Sequence, residues 1–146
     1  MKQPIALALM LVFTAGVSFV VAQQDKHGGK PITITLTGAA EVPGPGDPDG
    51  TGTATITLNH GQGQVCYELS VAKIATPTAA HIHTGAVGAA GPVLVPLTSP
   101  ANGTSKDCAT LDKDKIADIM KNPGNYYVNV HNAEFPDGAV RGQLGK

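Results

Sequence analysis

Two short runs hold the residues with the most chemistry, Ala79-Ala80-His81-Ile82-His83-Thr84-Gly85 and Tyr126-Tyr127-Val128-Asn129-Val130-His131-Asn132. Three of the chain's five histidines lie in them. Each run alternates in β-branched or aromatic residues, which predicts a strand, and in a strand residues i and i+2 point to the same side. His81 and His83 therefore share a face. If the two strands are neighbours, His131 completes a three-imidazole cluster of the kind that holds copper or zinc and leaves a coordination position open. The criterion is geometric: three ring nitrogens aimed at one centre, within about 4 Å of one another. The competing expectation is that the rings hydrogen-bond to backbone, Glu41, Asn132 or Asp137 and brace loop ends with no metal.

Other chemistries find less support. His27 sits in a polar lead and His60 in a turn, where a lone histidine is usually solvated. Glu41, Asp47 and Asp49 could offer oxygens to calcium. Their spacing is not that of a helix-loop-helix site, and Asp in a Pro/Gly-rich turn commonly serves its own backbone. The loop Gly85 to Pro92 is glycine-rich but has no Lys-Ser or Lys-Thr ending, which argues against a phosphate cradle. There is no Gly-x-Ser-x-Gly elbow, no His-Glu-x-x-His and no recognisable triad, so a binding module is favoured over an enzyme. With three Tyr, three Phe and no Trp, a sugar-stacking platform is poorly supplied.

The elements that must position the histidines are mostly strands. Pro31 to Thr37 and Thr51 to Asn59 set Ile, Leu and Ala against Thr with period two, and Gln64 to Val71 follows across the turn Asn59-His60-Gly61-Gln62-Gly63 as the second arm of a hairpin. Pro92 to Leu97 and Ala139 to Leu144 are further short strands, and Thr98 to Ser105 is predicted to be turn. One helix is predicted after Asp112, with Leu111 and Ile116 as a hydrophobic staple and Ile116, Ile119 and Met120 as its apolar face, ending at Asn122-Pro123-Gly124. Seven or so short strands with a single helix imply an all-β, antiparallel immunoglobulin-like or superoxide-dismutase-like β-sandwich, or a small barrel.

The chain's ends and charge set the context. Residues 1–22 have Lys2, then an apolar run from Ile5 to Val21 and a small-residue exit at Val20-Val21-Ala22, which predicts a signal peptide cleaved after Ala22. The protein would then be secreted or periplasmic, touching a membrane only if that segment stays uncut. Residues 23–30 are predicted to be a flexible lead and 31–146 the single domain. The formal charge of −1 offers no basic stripe for nucleic acid. The two cysteines, Cys66 and Cys108, are predicted to form one disulfide closing a loop of about 40 residues, worth about 3 to 4 kcal/mol.

Three motifs in order resemble the CHRD domain, named after chordin and found in many exported bacterial proteins. They are Leu36-Thr-Gly-Ala-Ala-Glu41-Val42-Pro43, then Ala80-His81-Ile82-His83-Thr84-Gly85, then Tyr127-Val128-Asn129-Val130-His131-Asn132 through Pro136-Asp137-Gly138 to Val140-Arg141-Gly142-Gln143-Leu144. The resemblance spans about residues 31 to 144 and implies an extracellular immunoglobulin-like fold without a settled activity. Asn132 and Asp137-Gly138 stand where members often have Thr or Ser and Gly-Gly. His-x-His with a later Val-x-Val-His is also similar to the copper side of copper/zinc superoxide dismutase. That enzyme's zinc-loop pattern is missing, and His60, Asp47, Asp49 and Arg141 match its further residues by type only. The expected functional set is thus His81, His83 and His131 as metal ligands, with Glu41, Asn132, Asp137 and Arg141 around them. The expected partner is a copper or zinc ion or an extracytoplasmic protein; a copper redox enzyme is the remaining alternative.

Overall fold

The computed structural model describes residues 29–145. The expected signal peptide over residues 1–22, most of the expected lead segment with His27, and Lys146 lie outside the described residues.

Among the described residues eight antiparallel strands form one continuous sheet: β1 Ile32–Thr37, β2 Thr51–Asn59, β3 Gln64–Ala72, β4 Pro77–Thr84, β5 Val93–Leu97, β6 Thr104–Thr110, β7 Tyr126–Asn132 and β8 Val140–Gln143. Their order is β5-β4-β7-β8-β1-β2-β3-β6. The end strands β5 and β6 approach each other, so the sheet curls almost into a barrel around one core. Tyr67 on β3 ties the two ends, its hydroxyl accepting from the Thr98 N–H just past β5 at 2.9 Å.

Period-two alternation decides which residues enter that core. Leu36, Ala54, Ile56, Val65, Leu69, Ile82, Val95, Val128, Val130 and Val140 turn inward and are buried. A one-residue slip would send every one of them to the outside, which is why the register is well specified. Among the described residues the predicted all-β architecture with one α-helix is what forms, with the strands hydrogen-bonded into a single sheet.

The helix α1, Lys113–Lys121, packs Ile116 and Ile119 into the core near the β2–β3 hairpin. Asp112 takes the N-cap position but makes no side-chain cap bond. Met120, expected on the apolar face, is 55 % exposed; α1 rests on the barrel along a stripe too narrow to include it. A second difference is β6, where Thr98 to Ser105 was expected as turn and nothing beyond it as strand. Its sequence Thr-Ser-Lys-Asp-Cys-Ala-Thr lacks apolar alternation because the strand is an edge with mostly exposed residues. It is held instead by its ladder to β3, in which Cys66 faces Cys108, and by the disulfide between them, which closes a separation of 42 residues.

Candidate metal centre

The histidine strands are hydrogen-bonded neighbours. On the β4–β7 ladder His81 opposes Asn129, His83 opposes Tyr127, and Ala79 opposes His131. All of these side chains stand on the outer face, opposite the core set Ala80, Ile82, Val128 and Val130. His131 therefore lies diagonally beside His81, a spacing that long side chains bridge. His81 Nδ1 and His131 Nε2 are 3.0 Å apart, and the His81 and His83 ring centroids 5.3 Å apart.

Hydrogen bonds fix which nitrogens are free to bind. A carbonyl can only accept, so His83 Nδ1 donates its proton to the Gly91 carbonyl at 2.8 Å and His131 Nδ1 donates to the Pro136 carbonyl at 2.9 Å. In each neutral ring the lone pair is then on Nε2. His131 Nε2 accepts from His81. His83 Nε2 is buried with no partner, in a residue only 8 % exposed. Backbone carbonyls that lock ring tautomers in this way are the usual outer support of metal-bound histidine.

The triad could hold a metal ion: one ligand atom from each histidine lies within 4.8 Å of the others. Tetrahedral bonds of about 2.05 Å place nitrogens about 3.3 Å apart. The His81–His131 pair has about that spacing but is a hydrogen bond in the metal-free state, so His81 Nδ1 must give up its proton to ligate, while the widest pair exceeds the expected 4 Å and must close by about 1.5 Å on loading. Protonation of His81 does not compete strongly at neutral pH. Burial, then the neighbouring His131 and His83, push the His81 pKa down to about 4. Burial likewise lowers His131, against the Pro136 carbonyl bond that raises it.

Three loops roof this face. The Gly85 to Pro92 loop brings Gly91 so close that a Cβ there would collide with the Thr84 carbonyl. Only glycine lets its carbonyl reach His83 while its N–H donates to the Tyr127 hydroxyl at 3.2 Å. The Tyr127 ring stacks on His83 with centroids 4.8 Å apart and planes 5° from parallel, and Arg141 covers the far face of Tyr127 with Cζ 3.4 Å from the ring centroid. Guanidinium, phenol and imidazole thus form one stack.

The four surrounding residues fall at different places. Arg141, on β8 opposite Asn129, reaches the histidines only through Tyr127. Glu41 is 4 % exposed, and neither carboxylate oxygen has a partner at hydrogen-bond geometry. Burial pushes its pKa up to about 7, against Arg141, the Val42 N–H and Asn129, which all pull it down. Asn132 braces the turn after His131, accepting the Phe135 N–H at 2.7 Å. Asp137 is exposed and acts on His131 through its charge. His60 is exposed in the hairpin turn and does not join the cluster. Asp47 serves its own loop, accepting the N–H of Gly50 at 3.1 Å.

Tyr127, Asn129, Gly91 and Gly138 were not singled out from the sequence. The first two were legible there, since Tyr127, Asn129 and His131 stand two residues apart on one strand and must share a face.

No curated protein and no solved structure matches the chain. A family model does, that of the CHRD domain, over residues 32–144. The three motifs of that span converge in space, with Glu41 from the first, His81 and His83 from the second, and His131, Gly138 and Arg141 from the third roofing one face of the sheet; the chain belongs to the CHRD domain family.

Proposed function

We propose that the protein is an exported metal-binding module in which His81, His83 and His131 hold one copper or zinc ion for sequestration or delivery. One observation carries the reading: His83 Nε2 is a buried lone pair with no donor, beside two imidazoles whose nitrogens it can share an ion with. A histidine kept only for bracing would need its Nδ1 bond to Gly91 and nothing more. An orphaned buried acceptor costs about 1 to 3 kcal/mol, which a metal bond would more than offset. Three imidazoles are suited to copper and zinc alike and leave a position for water or for a ligand on a receiving protein. The leader segment and the disulfide support export.

The test is metal analysis of the purified protein, followed by titration calorimetry of the metal-free form with Cu(II) and Zn(II). We expect one ion per chain, with affinity reduced at least about 100-fold in His83→Ala and in His131→Ala. Equal affinity in the parent and both variants ends the proposal.

A further inference from the structure

Next to the histidines, on the far side of Tyr127, two buried charged residues lie in the wall of one cleft, their charged atoms just beneath its surface. Arg141 is 2 % exposed. Its Nη2 donates to the Ala86 carbonyl at 3.0 Å and to Gln143 Oε1 at 3.4 Å, but its Nη1 is buried and has no partner. Glu41 lies near it, its carboxylate drawing on the Val42 N–H and the Asn129 amide without a bond of good hydrogen-bond geometry to either oxygen. The two are near enough for each charge to favour the ionised form of the other, yet they do not pair. Among the described residues the one ion pair is Lys106 with Glu68, elsewhere on the sheet.

Burial of an unpaired carboxylate or guanidinium is among the costlier things a fold can do. Here both border a cleft of about 230 Å³ whose other walls are small or apolar, among them Ala39, Val42 and Val87. Gln143, the remaining polar wall, is committed: its Nε2 donates to the carbonyls of Gly85 at 2.6 Å and Gly124 at 2.7 Å. An occupant that suits this cleft accepts from Arg141, donates to Glu41 and presents little else.

We propose that the cleft binds a small carboxylic acid with a hydrogen-bond donor on the adjacent carbon, an α-amino or α-hydroxy acid. Its carboxylate accepts from Arg141 Nη1, its amino or hydroxyl group donates to Glu41, and a short aliphatic side chain lies against Val42 and Val87. Two charge-assisted bonds at a fixed separation reject a ligand that supplies only one of them. The site uses no histidine, so it stands or falls apart from the metal reading.

The experiment titrates the metal-free protein, kept in chelator, with L-alanine, L-lactate, acetate and methylammonium and follows amide NMR shifts or heat. Saturable binding of alanine, of lactate or of both is expected, with acetate and methylammonium weaker by about tenfold or more for the missing charge-assisted bond. Alanine alone identifies the amino acid class and lactate alone the hydroxy acid class. Val87 is 76 % exposed at the rim, so Val87→Trp should block the cleft and abolish binding while thermal unfolding is unchanged. Glu41→Gln should weaken alanine more than lactate, since only the ammonium loses a charge partner. No saturable binding of either acid at about 10 mM, acetate as tight as alanine, or binding undiminished in Val87→Trp overturns the proposal.

Discussion

The outside of this barrel has two faces built by the same alternation and put to opposite uses. On β1 and β2 the outward positions are threonines in register, Thr33 with Thr55, Thr35 with Thr53 and Thr37 with Thr51. They are exposed or half-buried and meet water, with a lateral Thr33–Thr55 hydroxyl contact at 3.1 Å. On β4, β7 and β8 the outward positions are His81, His83, Tyr127, Asn129, His131, Arg141 and Gln143, and most are buried beneath loops. Polar residues outside a sheet usually need no explanation because water satisfies them. The second face has had its water removed, so each polar group there must find a protein partner or a ligand, and His83 Nε2, Asn129 Oδ1 and Arg141 Nη1 have found none. Exposure separates a solvating face from a binding one; residue polarity alone does not.

The contrast can be broken most sharply at the roof. Gly138 has φ +143, and a Cβ there would collide with the Glu41 carboxylate. Gly138→Ala therefore meets both backbone strain and a buried side chain that cannot retreat into water. It should lower unfolding stability by about 3 kcal/mol or more. Gly61, in the β2–β3 turn, has open space where a Cβ would stand, and Gly61→Ala should change stability by less than about 0.5 kcal/mol. Chemical denaturation of the two variants measures the difference. Equal effects would mean that the roof is not packed as described.

How legible this was depends on the kind of constraint. The hairpin β2–β3 and the strand β1 were plain because Ile, Leu and Ala alternate with Thr, and burial of one face enforces that pattern directly. The pairing of Cys66 with Cys108 followed from there being two cysteines. β6 was hidden because an edge strand held by a disulfide and a single ladder needs no apolar pattern of its own. The site was half legible: His81, His83 and His131 stand out by type and spacing. That Glu41 would share a cleft with Arg141, and that Gly91 would supply the carbonyl for His83, depends on loops from three distant parts of the chain. Nothing local in Gly38–Ala40 or in the Gly85 to Pro92 loop encodes where the other will lie.

A smaller effect should appear as pH dependence. Glu41 is raised from 4.5 to about 7 in the fold. The folded chain then holds a proton between those values that the unfolded chain has released, so this contribution is present below about pH 4.5 and is lost as pH rises through 7. His81 works the other way. Its pKa is lowered from 6.5 to about 4, so its contribution is present above 6.5 and is lost as pH falls toward 4. Glu41→Gln leaves His81 in place and isolates the first effect. In chelator, the variant should match the parent near pH 4 and exceed it by about 1 to 3 kcal/mol at pH 8. A constant difference across that range would show that Glu41 ionises as freely in the fold as in water.

The smallest effects belong on the threonine face. Lys106 and Glu68 form an ion pair across β3 and β6, with side chains 75 % and 58 % exposed. Solvent screening and side-chain entropy leave such a pair worth less than about 1 kcal/mol. Thr33→Val removes one hydroxyl contact in a place where water replaces it and valine favours the strand. Lys106→Ala and Thr33→Val should each shift stability by no more than about 0.5 kcal/mol, and neither should alter metal affinity. Asn129→Ala is the matched change on the other face. It removes an amide buried between His81 and Arg141 in the cross-strand rows, and there the vacated space and the disturbed Glu41 both cost. Denaturation midpoints for the three variants, run beside metal titrations, measure the contrast; an Asn129→Ala variant as mild as Thr33→Val would show that water reaches the roofed face as easily as the open one.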